Sequence, residues 1–207
     1  MPDSTPIDPR WLVRKAPADA REGDCLILGK PLGFPLYRAA QAAGILMPHD
    51  LARLQQDQAQ GEDSARLLAC LDGVHVLLPV ENTSFVDALW SLCQASHLRA
   101  SLQLDHLPVL PSALTFAEAG LAEPEWRWAG HDSKHCWLAP KGAPLPRAWQ
   151  GVLSMREHGA GLLVSCSPEA VTEVLSLFLQ QDFNHAAVIG TLKQRSRHRR
   201  QLVLHFR

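Results

Sequence analysis

No apolar stretch of the sequence approaches the ~20 residues that a bilayer-spanning helix needs, so no membrane span is expected. The first twenty residues carry Asp3, Asp8 and several prolines without the apolar centre of a secretory signal, and a leader of that class is not expected either. Internal repeats and low-complexity tracts are missing, which excludes solenoid, fibrous and disordered architectures. Neither sign of charge dominates, with 20 Lys and Arg against 21 Asp and Glu. That balance conceals an asymmetry: Lys193, Arg195, Arg197, Arg199, Arg200 and Arg207 form a basic tail without one acid, on a body that is net acidic.

What is present is a globular chain. At 207 residues and 46% hydrophobic content, a single fold of this size buries about 70% of its unfolded surface and needs no disulfide or structural metal. The cysteines at 25, 70, 93, 136 and 166 are odd in number, and those outside the central segment lie in apolar contexts. They read as buried free thiols in a reducing compartment, so the expected location is cytoplasmic.

Short apolar runs bounded by turn residues predict strands near 24–29, 74–79, 99–104, 161–166, 186–191 and 201–206. Helical stretches are expected over Phe34 to Ala43, after Pro48-His49-Asp50, after the cap candidates Asn82-Thr83-Ser84, from Pro111 to Gly120, and from Ser167-Pro168-Glu169 to about Gln181. Between residues 122 and 151, Trp126, Trp128, Trp137 and Trp149 sit among prolines without period, which reads as a long ordered loop or insertion. Strands and helices interleave without steady alternation. An α+β domain with a mixed β-sheet and packed helices is therefore predicted, over 23–207 with an N-terminal extension at 1–22.

Gly23-Asp24-Cys25-Leu26-Ile27-Leu28 followed by Lys30-Pro31-Leu32-Gly33, then Leu107-Pro108-Val109-Leu110-Pro111, Gly161-Leu162-Leu163 and Ala187-Val188-Ile189-Gly190, resembles the C-terminal domain of the selenophosphate synthetase (selenide, water dikinase) family. That family belongs with the aminoimidazole ribonucleotide (AIR) synthetases. The resemblance covers most of residues 14–192. It implies the C-terminal fold of that superfamily without the N-terminal half that carries its glycine-rich loop, reactive Cys or Sec and metal-binding aspartates. It also implies dimers. Two functional phrases are altered. Where the family has Thr-Asp-Val-Thr-Gly-Phe-Gly the chain reads Leu78-Pro79-Val80-Glu81-Asn82-Thr83-Ser84, and where it has Asp-Pro-Gln-Thr-Ser-Gly-Gly-Leu-Leu the chain reads Met155 to Leu163.

Several residues remain candidates. Gly159 and Gly161, preceded by Arg156, form either an anion-binding turn or a tight approach to a strand. Lys30 either faces the same crevice or is a solvated strand-end lysine, and Asn82 stands where a family glycine tolerates positive φ. Arg195, Arg197, Arg199 and Arg200 offer weak, non-specific polyanion or nucleic-acid binding or form a solvated hairpin; they lack the interleaved aromatics that stack bases. His131, His135 and Cys136 read as a polar loop rather than a zinc site, Cys166 as an inert thiol, and the tryptophan-rich segment as a contact surface or a cover for the sheet. No metal site and no catalytic residue is assigned. The function expected is that of a degenerate relative, non-catalytic alone, acting as a homodimer or through a protein partner. The alternative is one half of a split ATP-dependent synthetase, completed by a separate nucleotide-binding-domain protein that brings ATP and Mg2+ into play; otherwise no cofactor is expected.

Overall fold

The computed structural model describes residues 15–52, 63–121, 145–195 and 202–205. Its strands are β1 (Cys25–Leu28), β2 (Val74–Ser84), β3 (Leu98–Gln103), β4 (Arg156–Cys166), β5 (Ala187–Gln194) and β6 (Leu202–His205). Its helices are α1 (Phe34–Ala42), α2 (Asp63–Ala69), α3 (Phe85–Ser96), α4 (Ala113–Glu118), α5 (Arg147–Ser154) and α6 (Val171–Gln180), and residues 48–52 are also helical. The strands form one sheet in the order β2-β4-β1-β5-β3-β6. Every pairing is antiparallel except β3 with β6, so the sheet is mixed and the fold is the α+β arrangement predicted.

Alternation along the strands gives the sheet two apolar faces. Leu26 and Leu28 of β1, Val76 and Val80 of β2 and Leu163 of β4 meet Leu36 and Tyr37 of α1, Phe85 and Leu89 of α3 and Val152 of α5. Ile27, Val74, Leu77, Leu162 and Val164 point the other way, onto Ala65 and Leu68 of α2 and Val174 and Phe178 of α6. Burying both faces explains why β1 and the second half of β4 are unbroken apolar runs rather than alternating ones.

All six predicted strands are present, but β2 and β4 are longer than their apolar runs. β2 continues to Ser84 and β4 starts at Arg156, with Glu81 opposite His158 and Ser84 opposite Arg156 across irregular register. The sequence reading ends the second strand at 79 and starts the fourth at 161, with an anion-binding turn or a tight approach to the strand before it; strand pairing continues through both stretches, satisfying backbone groups of residues whose polar side chains gave no sign of it. A second correction concerns 122–151. Residues 147–151 of that segment are helical and belong to α5, which starts after Pro146. Residues 122–144 lie outside the described residues, and with them His131, His135, Cys136, Trp126, Trp128 and Trp137.

β2 is an edge strand. On its outer side the Leu77 amide donates to the Lys15 carbonyl at 3.2 Å. Two residues further, where the next outward N–H would stand, is Pro79, the position at which an edge tolerates proline. Residues 15–22, expected as an extension, are tied down here: the Lys15 ammonium donates to the carbonyls of Leu71 at 3.1 Å and Val74 at 2.6 Å.

Gly190 in β5 allows the closest backbone approach in the sheet. A Cβ there would lie 2.1 Å from the Ser101 carbonyl oxygen and 2.9 Å from the Leu102 Cα, both in neighbouring β3. Backbone cannot swing aside as a side chain does. Gly190→Ala is expected to lower unfolding stability by about 3 kcal/mol or more, measured by urea denaturation; a loss within ~0.5 kcal/mol, the range of ordinary surface changes, would show that the strands do not meet so closely.

Candidate functional site

The candidate residues converge at one end of the sheet, where β1 leaves and β4 enters. The Gly29 amide donates to the Leu162 carbonyl at 2.9 Å, so the chain after β1 runs beside the Gly161 region of β4. Gly161 in turn lies opposite Val80 of β2, two residues before Asn82. Lys30, Gly161 and Asn82 are thus brought to adjacent strands. Gly159 lies within β4 near them.

Their local states differ from the expectation. Lys30 is buried, neither solvated nor facing an open crevice, and its ammonium sits 5.5 Å from the centroid of the Phe183 ring. Gly159 and Gly161 lie within β4, the second of the two readings given for them, and the pairing with β2 is irregular between His158 and Gly161. Asn82 does adopt the left-handed conformation, with φ 55°, and is exposed. Glu81 beside it is exposed as well. Met155, in the place of the family's aspartate, packs against the apolar cluster under α1 and α3.

Two helix N-termini open on this end, and the chain's own oxygens cap both. Ser84 is the N-cap of α3: its hydroxyl accepts from the Asp87 amide at 3.1 Å and donates to the Asp87 carboxylate at 2.6 Å. α1 starts after Gly33, and the Gly33 amide donates to Glu157 Oε1 at 2.9 Å, with the Phe34 amide also bonding that carboxyl. A carboxylate at the positive end of a helix is favourable. Burial opposes it and wins: desolvation raises the Glu157 carboxyl from 4.5 to about 8, although the Gly33 and Phe34 amides and nearby Arg38 pull it down. Glu157 Oε2 has no hydrogen-bond partner among the described residues. Sequence reasoning missed Glu157, and the only available signal was a charged residue inside the altered family phrase.

A second buried polar group was missed too. Asp24 accepts from the Arg21 amide at 2.9 Å and the Ser165 hydroxyl at 2.6 Å, and His75 Nδ1 lies 2.9 Å and 3.0 Å from its two oxygens. Ser165 spends its proton on Asp24 rather than on His75, so these residues make a structural latch across β1, β2 and β4, not a nucleophile with its base.

Among the described residues no group of three His, Cys, Asp or Glu is placed to hold a metal ion. The groups at the sheet end do not fit a magnesium-bound phosphate: Pro79 and Met155 stand where the family phrases carry carboxylates, and the Gly33, Phe34 and Asp87 amides already bond the chain's own oxygens. Of the basic tail, Arg195 is exposed after β5, while Arg197, Arg199 and Arg200 lie outside the described residues.

No family model matches the chain. A selenide, water dikinase of Dechloromonas aromatica (strain RCB) is 38% identical over 192 residues, spanning 91% of this chain and 53% of that protein. The enzyme of Paraburkholderia xenovorans (strain LB400) is 34% identical over 190 residues, 90% of this chain and 51% of the relative. The chain is homologous to half of a selenide, water dikinase. It spans about half the length of the curated relatives it matches, as a C-terminal domain of selenide, water dikinase would. Among solved structures, the hydrogenase maturation protein HypE in complex with ATP superposes with a TM-score of 0.63 at 17% identity, over 86% of this chain and 45% of that one. Thiamine-monophosphate kinase from Stenotrophomonas maltophilia K279a gives 0.61 at 14% identity, over 91% and 52%. These likenesses establish the AIR synthase-like fold of the selenide, water dikinase homologue.

The Glu157 carboxyl makes stability depend on pH. Between pH 4.5 and about 8 the folded chain holds a proton that the unfolded chain releases. Its contribution is therefore complete below pH 4.5 and is lost as pH rises through 8. Urea unfolding at acid and alkaline pH is expected to show a decline on the order of a few kcal/mol, and Glu157→Gln, permanently neutral, should flatten it. An unchanged slope in the variant would dissociate Glu157 from the effect.

Proposed function

We propose that this chain is non-catalytic by itself and acts through association, with a second copy or with another protein, as a degenerate relative of the selenide, water dikinase C-terminal half. The observation that carries the reading is the occupation of the α1 N-terminus by Glu157 and of the α3 N-terminus by Ser84 and Asp87. Phosphoryl transfer rests on metal ions and oriented donors around the phosphate oxygens. Here the Gly33, Phe34 and Asp87 amides at the two helix starts are satisfied internally, Lys30 is buried against Phe183, and two family carboxylates are replaced by Pro79 and Met155.

The HypE-HypF complex, whose HypE-containing structure superposes with a TM-score of 0.60, supports association as a mode of action on this fold. The second reading is a split synthetase, resting on the 38% identity to part of a selenide, water dikinase: ATP and Mg2+ would then be used only with a partner carrying the nucleotide-binding domain. No helix among the described residues is long and apolar enough to cross a membrane, and we place the protein in the cytoplasm on its odd number of cysteines, read as thiols of a reducing compartment. Any nucleic-acid binding through Arg195 and the tail is weak and salt-sensitive.

The test is turnover. The purified chain with ATP and Mg2+ is expected to release no phosphate above background and to make no selenophosphate from selenide. Phosphate release abolished by Lys30→Ala or Glu81→Ala would overturn the non-catalytic reading. Turnover that appears only on adding a separate nucleotide-binding-domain protein would replace it with the split enzyme.

A further inference from the structure

Cys25 opens β1 and Cys166 closes β4, and their antiparallel register sets the two cysteines directly opposite each other. Directly opposed residues share a face of the sheet, and both cysteines pack on the cluster beneath α2 and α6. Both are free thiols; Cys25 is half-buried at the rim and Cys166 is buried behind it. The register also sets the reach between them. Because the Gly29 amide bonds the Leu162 carbonyl, alternation along an unbroken ladder makes Cys25 and Cys166 a hydrogen-bonded pair, whose Cα atoms lie about 5.5 Å apart. Disulfides take Cα separations of about 4.4–6.8 Å. Opposed Cβ atoms at about 4.5–5.5 Å need to close by ~1 Å for the bond to form.

We infer that Cys25 and Cys166 form an oxidative modification site, a dithiol that a peroxide converts into a cross-strand disulfide. The Cys25 sulfur, nearer solvent, attacks one oxygen of hydrogen peroxide. The O–O bond breaks, the leaving hydroxide takes the thiol proton as water, and Cys25 becomes a sulfenic acid. The Cys166 sulfur then displaces that hydroxyl, the S–S bond forms, and the Cys166 proton leaves with the hydroxyl as a second water. Two thiols lose two electrons and the peroxide gains them. Burial, with Asp24 and Glu169 nearby, raises the Cys25 thiol, and burial pushes Cys166 up to about 12. The pair therefore rests as neutral thiols and reacts only with excess oxidant. Cys93 lies in the cluster on the opposite face of the sheet, which keeps it from competing.

The full chain is treated with hydrogen peroxide, quenched with iodoacetamide, and mapped by mass spectrometry after non-reducing digestion. The expected product is a Cys25–Cys166 linked peptide as the main disulfide, an intact mass lower by about 2 Da, and full reversal by dithiothreitol. Cys25→Ser should abolish the linked species; the wild-type map decides the matter even if that variant folds poorly. Recovery of Cys25 and Cys166 as separately alkylated or over-oxidised residues, or linkage of either to another cysteine, would overturn the inference.

Discussion

A carboxylate taken out of water must find donors for its oxygens or give up its charge, and Asp24 meets that demand by drawing on separate parts of the chain. The Arg21 amide, the Ser165 hydroxyl and the His75 ring converge on it from the preceding turn, from β4 and from β2. Each donor has one geometry that works, so the network sets how β2 and β4 meet the start of β1, and β1 is the strand from which the sheet extends both ways. The bulge that lets His75 reach inward lies between Val74 and Val76, where the β2–β4 register shifts. Lys15 closes the same end from outside by holding the carbonyls of Leu71 and Val74.

Glu157 is the counterpart at the other end of the sheet, and its demand is met by half. One oxygen has the α1 amides; the other has no partner among the described residues. The contrast separates a carboxyl that organises structure from one that fills a place. The amides at the α1 N-terminus call for an acceptor, and the chain supplies one itself in a carboxyl oxygen that burial keeps protonated at neutral pH. Ser84 and Asp87 do the same for α3. The Gly33 and Phe34 amides at α1 and the Asp87 amide at α3 are thus satisfied from within the chain.

Much of the fold was legible in the sequence because β1 and parts of β2, β4 and β5 are apolar runs bounded by Gly, Pro or Asp, and β3 alternates apolar and polar residues. Periodicity carries them without help from distant contacts. The extensions of β2 and β4 were not legible, since Glu81-Asn82-Thr83 and Arg156 to Ala160 carry polar or small residues whose pairing is decided by the opposite strand. α5 was hidden for a different reason: Pro146 and Gly151 read as breakers. The proline in fact sits at the cap, and Gly151 lets α5 approach Ala117 of α4, where an added Cβ would stand 3.3 Å from the alanine methyl. At the site, Asn82 was readable because its left-handed backbone is a property of the residue itself. The burial of Lys30 and the raised Glu157 carboxyl were not, because both arise from surroundings contributed by residues more than a hundred positions away.

Pro79 bears on how this chain meets others. Chains often join by sheet continuation, one strand borrowing the unused amides and carbonyls of another's rim. Along the outer rim of β2 the first available amide is already spent on Lys15, and the next position has none to offer. A strand arriving there would find its ladder broken twice within three residues. Over that stretch a partner's strand finds no continuous ladder, which favours recognition by side chains presented across a surface, with the selectivity that such contacts bring.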